Sequence, residues 1–458
     1  MAETRSEGMD EVGGLDLEPE VAARVAALMA GIQAQSVRVG VIGLGYVGLP
    51  FAVEKGKVGF SVLGFDRQQA RVDRVNQGRN YIGDVADAEL AALVAAGRLR
   101  ATTDMAQLAD MDVLVIAVPT PLNKNLNPDL RHIEAVTRDI ARHLRPGQLI
   151  SLESTTYPGT TDEIMQPLLE ASGLRAGTDF FLAYSPERVD PGNQRYSTCN
   201  TNKVVGASHP ASLALAMAFY RRTIQHVVPV GSAAAAELCK VFENTFRAVN
   251  IALVNELTLL CDRMGLDVWE VLDAAFTKPF GIMPFYPGPG VGGHCIPLDP
   301  HYLEWKAREF NFNTRFIALA GEINRHMPEF VVEKALRLLS DRGRGLQGSR
   351  ILALGVAYKQ DVDDPRESPA GEVIRLLEAR RATVVYHDPF VPRFTEFGLD
   401  LHSLALTEAE VRQADLVLVL TDHTAVDYAM VVREAVQLLD TRNATRRVPG
   451  PKPSVVLL

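Results

Sequence analysis

Apolar positions along the chain change their period several times, and each change marks an element. Residues 37–42, 60–66, 112–119, 148–153 and 180–185 are short, nearly continuous apolar runs bounded by Gly, Pro and polar clusters. Runs of that length predict strands buried on both faces, as in a parallel sheet. Segments with helical spacing alternate with them. Ahead of the first strand, residues 21–31 carry strong helix formers behind an acidic leader, and residues 1–36 are assigned no chemistry. From Ala233 to Met264 there is neither Gly nor Pro, which predicts one helix of about 48 Å. Residues 302–325 predict more helix, and Pro328 is expected to start another over 329–339. A linker is expected at 342–348, where Gly and Arg alternate. Apolar runs return at 350–356, 383–388 and 415–420, so a second α/β unit is expected. Residues 441–458 have no readable pattern.

Composition narrows the class. The 458 residues are 47% hydrophobic and 22% charged, with a net charge of −9. That balance argues against a dedicated nucleic-acid binder, which needs a basic surface. No apolar run approaches the ~20 residues of a membrane span, and the acidic N-terminus lacks a basic signal-peptide region. The four cysteines, Cys199, Cys239, Cys261 and Cys295, form no C-x-x-C pair. Neither a zinc ribbon nor any other metal site is indicated, and a reducing compartment, the cytoplasm, is expected.

Chemistry enters at the strand ends. The first strand runs into Gly43-x-Gly45-x-x-Gly48, and the second ends in Asp66, 18 residues after Gly48. Glycines there make a tight turn and let the backbone approach a pyrophosphate, and the acid binds ribose hydroxyls. NAD is the expected cofactor, although Arg67 blurs the choice against NADP; Arg71 reads equally as a cofactor contact or a solvated arginine. Val118-Pro-Thr-Pro121, the hydroxyl-rich 154–161 and Glu187-Arg188 follow later strands, at the edge where open α/β sheets bind ligands. Glu187 and Arg188 read either as water-orienting and oxygen-holding groups or as a surface ion pair. On the long helix, Lys240, Asn244, Arg247 and Asn255 share one face, which reads as a solvated stripe or as the lining of a polar cleft. Residues 287–300 concentrate Gly and Pro before Cys295 and Asp299. A backbone so built comes close to a ligand. Cys295 is a candidate nucleophile and Asp299 a candidate base, against the plain reading of a buried thiol. Lys359 and Arg366 sit in the first β-to-helix loop of the second α/β unit.

Taken in order, these motifs resemble the nucleotide-sugar 6-dehydrogenases, which oxidise UDP-glucose, UDP-N-acetylglucosamine or UDP-N-acetylmannosamine to the uronic acid. The resemblance runs from residue 37 to about 420. It rests on Gly43-Leu-Gly-Tyr-Val-Gly48, Val118-Pro-Thr-Pro121, Glu153-Ser-Thr155, Ser185-Pro-Glu187, Glu237-Leu-Cys-Lys240 with Asn244, Gly292-Gly-His-Cys295 with Asp299, and Ala357-Tyr-Lys359 through Arg366. It implies an α/β fold: two Rossmann-like parallel-sheet domains joined by a helical middle domain with a long central helix. The expected bounds are 1–36 for the leader and helix, 37–230 for the NAD-binding domain, 231–342 for the middle domain and 343–458 for the nucleotide-sugar-binding domain.

The resemblance also implies roles. Cys295 matches the nucleophile, Asp299 its acid–base partner, Lys240 and Asn244 the oxyanion stabilisers, and Glu187 and Thr155 the residues that handle water. Cofactor contacts are implied for Tyr46 and Val47 beside the three glycines, for Asp66, Arg67 and Arg71, for Val118, Pro119, Thr120 and Thr155, and for Arg366. Substrate contacts are implied for Glu187, Arg188 and Val189, for Lys240, Asn244 and Arg247, for Tyr286, Gly288, Gly292 and His294, and for Lys359. A homodimer or higher homo-oligomer and a UDP-sugar substrate are the implied partners, with no nucleic acid and no membrane.

Departures from the UDP-glucose pattern are Pro191, His294 and Leu298. Together with Asp190-Pro-Gly-Asn193, Lys278-Pro-Phe and Pro284-Phe-Tyr-Pro-Gly288 they resemble the UDP-N-acetylglucosamine enzymes most, with UDP-N-acetylmannosamine and UDP-glucose forms as alternatives. A two-electron hydroxy-acid dehydrogenase and a catalytically silent nucleotide-sugar-binding protein are the rival classes; counting NADH separates them.

Overall fold

The apolar runs of the N-terminal half line up as one sheet. A computed structural model describes residues 16–83, 85–189, 195–293 and 296–458. The strands are β1 (Arg38–Ile42), β2 (Ser61–Phe65), β3 (Leu99–Thr102), β4 (Val113–Ile116), β5 (Leu149–Leu152), β6 (Phe181–Tyr184), β7 (Lys203–Gly206) and β8 (Val227–Val230). Their order is β3-β2-β1-β4-β5-β6-β7-β8. Pairs are parallel except β6 with β7, which meet antiparallel at Tyr184 and Gly206. β1 lies between β2 and β4, with Val39 opposite Val62 and Val113. Strands β4, β5 and β6 are buried at every position, which explains their unbroken apolar sequence. Strands β3, β7 and β8 have no expectation behind them. They carry polar or Pro positions in runs of four residues, too short for a period to show.

The helix ahead of β1 is Pro19–Ala34 and buries Val21, Val25, Leu28, Met29 and Ile32 in the core of this unit. The long helix is Ala233–Met264, 32 residues, the span free of breakers in the sequence. The chain divides into two compact units, residues 1–242 with 308–310, and residues 243–307 with 311–458.

The second unit holds five parallel strands in the order β10-β9-β13-β14-β15. They are β9 (Arg350–Leu354), β10 (Thr383–His387), β13 (Leu416–Val419), β14 (Leu438–Asp440) and β15 (Val455–Leu457), with β11 (Arg393–Phe394) and β12 (Leu401–His402) as a small antiparallel pair. The unreadable tail is therefore the fifth strand: three residues pair with β14, and Leu457 packs by Val254, Cys261 and Trp269. The expected break at Pro328 is absent. One helix, Arg315–Ser340, runs through it. Proline removes one backbone donor and crowds the preceding turn, but Met327, Phe330, Val331 and Val332 are all buried on this helix. Burial of that face outweighs the lost bond. Residues 342–348 are turns leading to β9, within the second unit.

Candidate active site

In the first unit the glycine turn closes as its sequence requires. Gly43 has φ 93°, and a Cβ there would strike the Ala117 carbonyl, while one on Gly48 would strike the Gly43 carbonyl. Neither position admits a side chain. At Gly45 a Cβ would meet nothing within 4 Å, so its missing side chain keeps open space beside the N-terminus of the helix Gly48–Lys57. Backbone donors and the helix dipole favour a pyrophosphate there. Asp66 faces the turn: its Oδ2 accepts from Leu44 N at 3.0 Å and lies 3.3 Å from Arg71 Nη1, and its Oδ1 accepts from Gln68 N at 2.9 Å. A carboxylate has about four lone-pair sites, so acceptor capacity remains for a ribose. Tyr81 donates to Leu44 O at 2.7 Å, and burial together with the Asp66 charge pushes its phenol up to about 12. Arg67 is exposed, as is Tyr46, and Val47 is half-buried. These features fit NAD.

The strand ends expected to flank the cofactor are stitched together. Ser154 Oγ accepts from Val118 N at 2.9 Å and donates to Val118 O at 2.8 Å, and Thr120 Oγ1 donates to Thr155 O at 2.7 Å. Thr155 and Pro119 stay accessible. After β6, Glu187 Oε1 accepts from the backbone N–H of Arg188 at 2.8 Å and of Val189 at 2.9 Å. Arg188 donates to Asn202 O at 2.6 Å. Among the described residues, the ion pair that Glu187 forms is with Lys203, at 3.5 Å, rather than with its neighbour Arg188.

On the long helix the reading as a solvated stripe is overturned. Lys240 is 8% exposed, Asn244 5% and Asn255 0%; Arg247 alone of the four is exposed. Asn255 is a structural anchor: it donates to Asn324 Oδ1 at 2.9 Å and accepts from Gly288 N at 3.2 Å. The motif acid Glu237, one turn ahead of Lys240, has a plain function. Its carboxylate receives Gly159 N at 2.6 Å, Thr161 N at 2.9 Å and Thr161 Oγ1 at 2.6 Å. It ties the hydroxyl-rich loop to the Lys240 turn.

In the second unit the glycine loop is clamped by side chains from distant elements. A Cβ at Gly288 would lie 2.6 Å from Arg442 Nη1, and one at Gly290 2.9 Å from Pro369 Cβ. At Gly292 it would meet Pro369 Cδ at 2.9 Å and Tyr358 Cβ at 3.0 Å, and at Gly293 the Tyr358 ring at 3.1 Å. The Gly density is thus required by close packing. Asp299 is 2% exposed and its Oδ2 accepts from Asn244 Nδ2 at 2.5 Å; the structure unites these two candidates. Tyr286 stacks on Trp269 at 5.6 Å between ring centres and donates to Asp273 at 2.9 Å. Lys359 is half-buried. Arg366 makes a two-pronged pair with Asp364, at 2.9 and 2.7 Å. His294 and Cys295 lie outside the described residues, as do Asp190, Pro191 and Asn193.

Tyr358 and Arg442 are the positions the sequence reading passed over. Burial holds the Arg442 guanidinium below its ordinary range against the pull of Asp422 and Asp440, and it abuts the loop at Gly288. A lone Arg in the tail gave no signal, whereas Tyr358 sat inside a quoted motif. Among the described residues no group of His, Cys, Asp and Glu is arranged to hold a metal ion, and no helix is long and apolar enough to cross a membrane.

Comparison with known proteins agrees along the chain. The NAD binding domain profile of the UDP-glucose/GDP-mannose dehydrogenase family matches residues 37–224, its central domain 234–326 and its UDP binding domain 352–447. A UDP-N-acetyl-D-glucosamine 6-dehydrogenase of Pseudomonas aeruginosa is 38% identical over 78% of this chain and 84% of that protein. A UDP-N-acetyl-D-mannosamine dehydrogenase of Pyrococcus horikoshii is 35% identical over 84% of this chain and 90% of that protein. The solved structure of UDP-D-ManNAc dehydrogenase from Pyrococcus horikoshii superposes with a TM-score of 0.83 at 32% identity, covering 92% of this chain and 98% of that one. An NDP-N-acetyl-D-galactosaminuronic acid dehydrogenase from Methanosarcina mazei superposes at 0.79, with 30% identity over 95% and 97%. With all three domain profiles matched in order, the chain belongs to the UDP-glucose/GDP-mannose dehydrogenase family and is an NAD-dependent UDP-sugar dehydrogenase.

Proposed function

We propose that the chain oxidises the C6 hydroxyl of UDP-N-acetylglucosamine to the uronic acid through a covalent intermediate on Cys295. The sugar assignment is carried by the Pseudomonas aeruginosa relative at 38% identity, supported by Asp190-Pro-Gly-Asn193 in this sequence. The Pyrococcus horikoshii relative at 35% favours UDP-N-acetylmannosamine as the second reading.

NAD, when bound, supplies the hydride acceptor, one molecule for each of the two oxidations. Asp299, buried and oriented by Asn244, takes the hydroxyl proton as general base. The Cys295 thiolate adds to the resulting aldehyde, forming an S–C bond and a thiohemiacetal. Lys240 and Asn244 stabilise the alkoxide; loss of one such donor costs about 10²–10³ in rate. After the second oxidation the adduct is a thioester. Water, oriented by Glu187 and Thr155, bonds to the acyl carbon as the S–C bond breaks, releasing the uronic acid and regenerating the thiolate. We further infer a cytoplasmic homodimer associating through the long helix.

The test is a side-by-side assay of UDP-N-acetylglucosamine, its manno and galacto epimers and UDP-glucose, counting NADH per sugar. Two NADH per sugar with the highest kcat/KM for UDP-N-acetylglucosamine is expected. A preference for the manno epimer selects the second reading, and one NADH per sugar refutes the four-electron scheme.

A further inference from the structure

Behind Glu187 lies a charged side chain that the reaction scheme leaves unused. Lys203, the first residue of β7, is 3% exposed. Its Nζ lies 3.5 Å from Glu187 Oε2, 3.2 Å from Glu153 Oε2, and donates to Pro186 O at 3.2 Å. Three chain segments that carry motif acids or their neighbours converge on one ammonium: the ends of β5 and β6 and the start of β7. We infer that Lys203 is a positioning residue that keeps Glu187 ionised and oriented for the water-handling step.

Of the cations acting on Glu187 among the described residues, Lys203 is the one in ion-pair contact. A second buried lysine, Lys55, sits against the Phe219 ring at 3.7 Å and donates to Phe219 O and Thr223 Oγ1, each at 2.8 Å. Burial holds it well below its ordinary value, and its hydrogen bonds tie it to Phe219 and Thr223 rather than to Glu187. Lys203 is pushed the other way: burial opposes its charge, but Glu153 and Glu187 outweigh burial and raise it. Glu153 accepts from Tyr220 at 2.8 Å, and burial raises it despite Lys203. For Glu187, burial is outweighed by Lys203, by the N–H groups of Val189 and Arg188, and by the charge of Lys240, so its carboxyl is held low. Among the described residues, Arg222 and the Cys199 thiol, which donates to Glu54, also act on Lys55. Two carboxylates therefore share the Lys203 ammonium, and Glu187, with its two backbone donors and the added charge of Lys240, is the one held low. A carboxylate so held orients water across the neutral range and does not titrate within it.

The inference rests on Glu187 acting in thioester hydrolysis, and the experiment separates the two. Full-length enzyme is mixed with UDP-sugar and NAD, and the acylated protein is quantified by intact mass while kcat is followed against pH. Glu187→Gln is expected to accumulate acyl-enzyme at every pH; if it does not, the water-handling role falls and this inference with it. In Lys203→Met the acid limb of kcat is expected to move up by about 1–3 units, the size of effect an adjacent opposite charge has on a carboxyl. Acyl-enzyme then builds up at mildly acidic pH, and Lys203→Arg restores the original limb. Should Lys203→Met not fold, Lys203→Met with Glu153→Gln removes the buried charges as a set and carries the same expectation. An unmoved acid limb, whatever the loss of kcat or Tm, would reduce Lys203 to a structural role and overturn the inference.

Discussion

Glu237 binds Thr161 twice, through the backbone N–H at 2.9 Å and the hydroxyl at 2.6 Å, and so fastens the loop that begins at Thr155 to the helical turn bearing Lys240. Burial pushes the Glu237 carboxyl up to about 7 in spite of the donors around it. An unfolded Glu titrates near about 4.3. The folded value is the higher one, so the contribution to stability is complete below the unfolded value and is lost as pH rises through about 7. The loss is on the order of 4 kcal/mol at most. Denaturant unfolding between mildly acidic and mildly alkaline pH should show it, and Glu237→Gln should flatten that dependence. Identical slopes for the two proteins would refute the assignment.

Cys295 is expected to separate the two oxidations. Cys295→Ala should form no uronic acid, and Cys295→Ser should slow or trap the acyl stage, as read by NADH per sugar and by product analysis. Near wild-type release of two NADH by Cys295→Ala would end the covalent scheme.

The glycine turn offers a contrast between neighbours. Gly48→Ala drives a methyl into the Gly43 carbonyl and is expected to lower Tm as well as NAD affinity. Gly45→Ala meets no protein atom within 4 Å, so Tm should hold while the methyl occupies cofactor space. A cost of about 1–3 kcal/mol corresponds to roughly 5–150-fold weaker NAD binding. Calorimetry measures both; unchanged NAD affinity in Gly45→Ala would put the pyrophosphate elsewhere.

On the long helix, Phe246, Leu253 and Leu260 recur every seven residues at 39%, 62% and 52% exposure, with Met264 at 60%. An exposed apolar stripe of this kind suits the association surface that the proposed homodimer needs. Leu253→Asp with Leu260→Asp should convert a dimer to a monomer by light scattering while each chain stays folded. A dimer of unaltered affinity would exclude this face.

Much of the architecture is written in local pattern. The buried parallel strands announce themselves because both faces are apolar, and the long helix because 32 residues contain no breaker. The cofactor turn is equally local: two of its glycines are forced by backbone carbonyls within a few residues or on the adjoining strand end. What stayed hidden lacked a local signature. The last strand, Val455–Leu457, is three residues long and exists only because β14 offers an edge. The helix through Pro328 continues because its apolar face is buried.

For the site, residue types and spacing determined which side chains are candidates: Gly43 to Asp66 for the dinucleotide, Glu187 and Lys240 for chemistry, and Cys295 with Asp299 in the glycine loop. Only tertiary structure decided what each one meets. It turned the supposed solvated stripe into buried Lys240 and Asn244, gave Asn244 to Asp299, made Asn255 an anchor for Gly288, and set Tyr358, Pro369 and Arg442 against the loop glycines. It also put Lys203 between Glu153 and Glu187. The physical reason is common to these cases. Periodicity reports whether a position faces protein or water, whereas the identity of a partner far along the chain depends on how whole elements pack, and a buried charge is interpretable only once that partner is known.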